Sequence, residues 1–264
     1  MTKKMTVEAS NFRIGIVGCG WLGMYIARHL TPNNKIYTTT TTEQKNTELI
    51  SMGYDSIVMH FEDYEVFDNS YWRVLNTLDC IIITVPFSKR ESIPVIQNRF
   101  KNISSFINNF DKQLFLMSSI GIYPDIQMDI SENSLTEDFL DPSILFAEQL
   151  FKSRFSQVNI LRLGGLMGGS RVFSNYKIKA TNQVVNHVHF EDICLILEKM
   201  ISENIKSKTY NVVAPLHPTK QEVIDYQKGK NQTSNIQGYG RKITSDLLQK
   251  ELKYEYLHMD PRAF

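Results

Sequence analysis

Arg13-Ile14-Gly15-Ile16-Val17-Gly18-Cys19-Gly20-Trp21-Leu22-Gly23 is the stretch that decides the fold of this 264-residue chain. An apolar, β-branched run reads as a strand over residues 13–18. It ends on the first of three glycines spaced G-x-G-x-x-G, and a helix is expected from Trp21 to about Leu30, stopped by Pro32. Each glycine has its own reason. Gly18 permits a tight turn, Gly20 lets backbone approach a pyrophosphate, and Gly23 lets the helix pack close to the strand. The helix N-terminus then aims N–H groups at the phosphates. The motif therefore predicts a dinucleotide, NAD or NADP, held by Gly18, Gly20, Trp21, Leu22 and Gly23.

Outward from this turn, apolar strand-like runs alternate with helical stretches. Strands are expected at residues 35–40, 56–61, 80–85, 114–119 and 158–163. Between them, Thr41 with Gln44 reads as a capping box, Gly53 as a helix stop, Pro94 as a helix start and Asp141-Pro142 as a cap with proline at the first helical position. This alternation predicts an α/β fold, a Rossmann-type doubly wound parallel sheet over residues 12–169. Past Gly169 the regularity weakens. Short strands at 184–190 and 210–213, helices at 192–201 and 243–252, a Thr219/Glu222 helix cap and a closing strand at 254–257 read as a small C-terminal α+β substrate lobe, 170–264, which interleaves with the sheet or covers its edge.

Composition excludes several classes. A net charge of +1 gives no electrostatic case for nucleic acid or a membrane surface. The longest apolar run is only strand-length, and Met1 to Ser10 lacks the apolar middle of a signal peptide. The three cysteines, Cys19, Cys80 and Cys194, are far apart and suggest neither a metal site nor a disulfide framework, so a reducing cytoplasmic address is the expectation. A small-molecule partner is expected, and the sequence leaves homo-oligomerisation open.

Cofactor choice in this fold is set at the end of the second strand. That position holds Thr39 and Thr40 with no carboxylate before Glu43, and Lys45 is the nearest following cation; hydroxyls tolerate a 2′-phosphate, so NADP is favoured over NAD. Val85 and Pro86, ending the fourth strand, and Ser118, ending the fifth, are expected along the cofactor. Ser119, Tyr123 and His189 are the candidate proton donors, and Arg171 in a glycine-rich loop is the candidate grip on a substrate phosphate or carboxylate. Glu148 reads as a helix-surface or ribose-edge carboxylate.

Ser118-Ser119-Ile120-Gly121-Ile122-Tyr123 resembles the strand-five signature of extended short-chain dehydrogenases/reductases, the NAD-dependent epimerase/dehydratase superfamily. Leu161-Arg162-Leu163-Gly164-Gly165 with Gly168 and Arg171 is similar to its strand-six segment. Asn186-His187-Val188-His189-Phe190-Glu191-Asp192 and Tyr210-Asn211-Val212-Val213 with His217-Pro218-Thr219 resemble its later segments. The likeness spans about residues 12 to 258 and is closest to an atypical branch. It implies an NAD(P)-dependent oxidoreductase or epimerase/dehydratase-like enzyme acting on a small polar carbonyl or sugar-like substrate. One departure is decisive: the Tyr-x-x-x-Lys acid–base pair of that family is absent after the signature, where residues 139–148 hold neither tyrosine nor lysine. That absence supports the alternative, a non-catalytic NAD(P)-binding sensor or regulatory protein.

Overall fold

The computed structural model describes residues 11–62, 71–88, 91–176, 178–230 and 237–264. The N-terminal ten residues, read above for a signal peptide, lie outside the described residues. The chain runs β1 (Arg13–Val17), α1 (Trp21–Leu30), β2 (Lys35–Thr40), α2 (Glu43–Ser51), β3 (Asp55–Val58), β4 (Cys80–Ile83), α3 (Ile93–Phe106), β5 (Gln113–Ser119), β6 (Asp129–Ile130), α4 (Pro142–Arg154), β7 (Val158–Leu163) and β8 (Gly165–Met167). It continues through β9 (His187–His189), α5 (Phe190–Ser202), β10 (Thr209–Val212), α6 (Lys220–Gln227), β11 (Lys242–Ile243) and α7 (Asp246–Leu252).

Seven strands form one parallel sheet in the order β10-β7-β5-β4-β1-β2-β3. The chain winds outward from β1 through β2 to β3, then returns to the other side of β1 for β4, β5, β7 and β10. The β1/β4 junction is therefore the switch point, outside which a doubly wound sheet binds its ligand. Side chains on β4 alternate between two cores, as a strand buried on both faces requires. Cys80 and Ile82 face the layer of α1, α5 and α7, with Ile26, Leu197 and Leu248. Ile81 and Ile83 face α3 and α4, with Phe100, Phe106 and Phe151.

The segment after Gly169 supplies parts of the main layers. β10 pairs in parallel with β7, and α5 lies against α1. The short pairs β6/β11 and β8/β9, with α6, cover the C-terminal ends of β5 and β7. No described helix is long and apolar enough to cross a membrane.

Several local expectations shift. The α2 cap is Thr42, whose side chain accepts from Lys45 N, because β2 keeps extended backbone through Thr40 and Thr41 is spent on the turn. The strand expected over 184–190 shrinks to β9, since the Val184 and Val185 amides donate to Tyr239 O and Pro218 O instead of a strand partner. The helix expected from 243 starts at Asp246, after β11. Residues 254–257 form no strand. Fully buried Asp192 accepts from Leu257 N, His258 N and the Tyr254 hydroxyl, so a carboxylate does the work of a neighbouring strand.

Candidate functional site

The glycine turn is built as its sequence requires. Gly18 has φ +84°, and a Cβ there would lie 2.6 Å from Val85 Cγ2, so any side chain is excluded twice. Thr39 ties the turn down: its hydroxyl accepts from Gly18 N (2.9 Å) and its carbonyl from Cys19 N (2.7 Å). Thr84 closes the other side, donating to Gly18 O at 2.6 Å. A Cβ on Gly23 would come within 2.9 Å of Thr84 Oγ1, which is the close helix–strand contact expected of the third glycine. Gly20 is different. Its Cβ would meet nothing nearer than Gly18 O at 3.9 Å, so the space beyond it is left open.

That space belongs to a cavity of about 410 Å³, lined by Gly18, Gly20, Thr40, Thr41, Val85 and Pro86 among others. α1 opens on it with Gly20 as its N-cap, no side-chain cap and no carboxylate in its first turn, which leaves the helix's positive end available for an anion. Leu22, expected at the cofactor, turns its side chain into the core. Cys19 is no nucleophile: burial pushes its thiol up to about 12. The wall opposite the turn holds residues that sequence reasoning missed. Arg99 from α3 is buried and paired with Glu62 and Glu91, each at 2.6 Å. Burial works against its charge, but the two carboxylates outweigh it and raise its pKa.

A second cavity, about 560 Å³, lies over the ends of β5 and β7; Ser119, Asn186, His187, Lys220 and Arg241 are on its wall. Ser119 Oγ accepts from Gly121 N at 2.9 Å, which leaves its own proton free to donate. Tyr123 also lines the cavity, but its hydroxyl is committed elsewhere. It donates to Asn211 Oδ1 (2.7 Å) and accepts from Arg162 Nη1 (2.8 Å). Burial raises its pKa, partly offset by Arg162. Its expected part as proton donor therefore gives way to a structural one.

Ser118 and Glu148 belong to the same buried network. Arg162 Nη2 meets Glu148 Oε2 at 2.7 Å, Arg162 Nε meets Oε1 at 3.0 Å, and Ser118 donates to Oε1 at 2.6 Å. Glu148, expected on the helix surface, is only 1% exposed. It stays there because a bidentate guanidinium satisfies it. Ser118 faces this pair and lines neither cavity.

His189 is likewise displaced from its expected role. It is the N-cap of α5, with Nδ1 accepting from Glu191 N at 3.4 Å, and it lines neither cavity. Its ring, 3.8 Å from that of His258, is held below the usual imidazole range by burial, then by that neighbour. His189, Glu191 and His258 bring one ligand atom each within 4.8 Å of one another, yet the imidazoles lie ring over ring with a 40° tilt. Two of these atoms already have partners within the group: His189 Nδ1 accepts from Glu191 N, and His258 Nε2 meets Glu191 Oε2 at 2.6 Å.

His187, two residues earlier, is the histidine on the second cavity's wall. Burial, and then the Lys220 charge, lowers its pKa to about 4, so the ring is neutral at pH 7. Its Nδ1 is buried without a partner, and its Nε2 faces Gly165, where a Cβ would lie only 2.4 Å away. Arg171, expected on substrate, lies elsewhere. Its guanidinium sits 4.0 Å above the Trp21 ring, beside the glycine turn, and does not line the second cavity.

No protein-family model matches the chain. It is 26% identical to Protein YeeZ of Escherichia coli K12 over 268 residues, covering 94% of this chain and 97% of the relative. Among solved structures, it superposes on the ADP-L-glycero-D-manno-heptose-6-epimerase of Helicobacter pylori with a TM-score of 0.74 at 16% identity, covering 98% of this chain and 95% of that one. A dTDP-glucose 4,6-dehydratase from Bacillus anthracis, solved in complex with NAD, gives a TM-score of 0.70 at 14% identity, covering 95% and 93%. At these identities the likeness to solved structures is one of fold, and the fold of this chain is the Rossmann α/β fold of epimerase and dehydratase structures.

Proposed function

We propose that this chain is an NAD(P)-dependent oxidoreductase or epimerase-like enzyme for a small polar carbonyl or sugar-like substrate, with NADP preferred. One observation carries the reading: an uncapped helix N-terminus with open space at Gly20 sits at the sheet's switch point, and a second, polar cavity lies over the neighbouring strand ends. The pyrophosphate of the cofactor would lie against Gly18, Gly20 and the first turn of α1, with adenosine toward Thr40 and Thr41. The NADP preference rests on the absence of a carboxylate at the end of β2; Lys45 is engaged with Glu48 at 2.9 Å and Arg99 with two carboxylates. The bound nicotinamide would supply or accept hydride. Ser119 is the proposed donor that polarises a substrate oxygen, being a cavity hydroxyl that accepts from Gly121 N and donates to no protein group among the described residues.

A second reading, a non-catalytic NAD(P) sensor, is favoured by one observation. α4 contains no tyrosine, and the nearby Tyr123 hydroxyl is locked onto Arg162 and Asn211. Turnover separates the two readings. Wild-type protein with NADPH or NADH and a panel of small carbonyls and nucleotide sugars should consume reduced cofactor with at least one substrate, and Ser119→Ala should slow it by about a hundredfold, the usual scale for a lost positioned proton donor. Cofactor binding without turnover across the whole panel would favour the sensor.

A further inference from the structure

The second cavity carries charge that its own walls do not balance. Among the described residues, Lys220 Nζ reaches only the side-chain carbonyl of Gln183, at 2.6 Å. Arg241 donates through Nη1 to the backbone carbonyls of Tyr123 and Pro124. Among the described residues, neither cation forms an ion pair. Asp125 on the same wall is the local carboxylate, and it accepts from Gln183 at 3.2 Å. Burial lowers the pKa of Arg241, and Asp125 only partly opposes this. A half-buried guanidinium whose nearby carboxylate only partly offsets its burial is costly, and an entering anion relieves that cost. The neighbouring groups point the same way: Ser119 keeps a proton to donate, Asn186 is taken up by Arg241 O and Ile243 N, and neither it nor the neutral His187 ring brings a negative charge.

We propose that the ligand of this cavity carries an oxyanion, a carboxylate or a phosphate ester, gripped by Lys220 and Arg241. The uncharged remainder of that ligand then lies toward Ser119 and His187, on the strand-end side of the cavity. This deepens the enzyme reading by giving its substrate a charge, and it rests on that reading only in calling the ligand a substrate. The oxyanion site itself stands on the unpaired cations.

Inorganic phosphate and pyruvate are the probes, titrated calorimetrically at constant ionic strength made up with chloride. The Gly20→Ala protein is the background, so that the glycine turn does not add a second anion site. At least one probe should bind saturably in that background. Lys220→Gln and Arg241→Gln should each weaken it by about tenfold or more, and the exposed Lys228→Gln should leave it unchanged. Among the described residues the Lys220 ammonium hydrogen-bonds a single glutamine side chain, so its variant is expected to fold even if that of Arg241 does not. Tighter phosphate assigns a phosphorylated ligand, and tighter pyruvate a carboxylate. No saturable binding of either probe, or binding that Lys220→Gln leaves unchanged, overturns the proposal. The two readings fail separately: anion binding with neither NADPH nor NADH bound by the wild type would sink the enzyme reading alone, and turnover of neutral carbonyls without anion binding would sink this one alone.

Discussion

Gly20→Ala is expected to leave a folded protein that has lost about a hundredfold in NADPH affinity, about 2.7 kcal/mol. The substitution separates folding from binding because of where the new methyl goes. It meets no protein atom closer than Gly18 O at 3.9 Å, and Gly20 has φ −84°, outside the left-handed region that favours glycine. Alanine is a poorer N-cap than glycine, so a cost of up to about 1 kcal/mol in the unliganded protein is expected. The methyl does enter the space over the first turn of α1, where the backbone must come close to a pyrophosphate. Thermal unfolding checks this. At a ligand concentration a hundred times the wild-type Kd, the wild type gains about 2.7 kcal/mol, and the variant should gain less than about 0.5 kcal/mol under the same conditions. Equal stabilisation of the two proteins would mean that the ligand does not use the turn. Gly18→Ala is the less informative change, since φ +84° and the 2.6 Å approach to Val85 would damage the turn itself.

Arg162→Ala is expected to cost about 3–5 kcal/mol of folding stability. The guanidinium is the partner of Glu148, which is 1% exposed, and it also donates to the buried Tyr123 hydroxyl. Without it, a carboxylate and a phenol are left in the core between β5, β7 and α4 with part of their hydrogen bonding gone. Natural domains hold only about 5–15 kcal/mol in total, so the loss is a large fraction. Urea unfolding should show a lower midpoint with an unchanged slope. Replacing both members, Arg162→Met with Glu148→Met, should recover most of the loss, because no charge is then stranded. A single-variant cost below about 1 kcal/mol would show that the pair is not the anchor the geometry implies.

The parts of the molecule legible in the sequence are those whose determinants are local. The bounds of α1 and β2 follow from adjacent glycines, a proline and an apolar period. Asp141 caps α4 through Ser143 N and Ile144 N, and Thr219 with Glu222 forms the capping box of α6, both within four residues of chain. The site is less legible because its partners meet only in the fold. Arg162 reaches Glu148 from another element and Tyr123 from a third, and nothing at those positions names the others. His187 and His189 look alike in the sequence. What separates them is that β9 ends at His189, which turns to cap α5, while His187 stays on the cavity wall. Arg99, Lys220 and Arg241 reach the two cavities from a helix, a helix start and a C-terminal loop, and no local motif marks them in the sequence. Arg171, singled out for its glycine-rich setting, belongs instead to Trp21 and the glycine turn.

The central claim is that the turn from Gly18 to Gly23 holds a dinucleotide, and direct calorimetric titration of the wild-type protein with NADPH and NADH tests it. Saturable binding of one molecule per chain, tighter for NADPH, is the predicted result; the absence of saturable binding of either cofactor at millimolar concentration would contradict it.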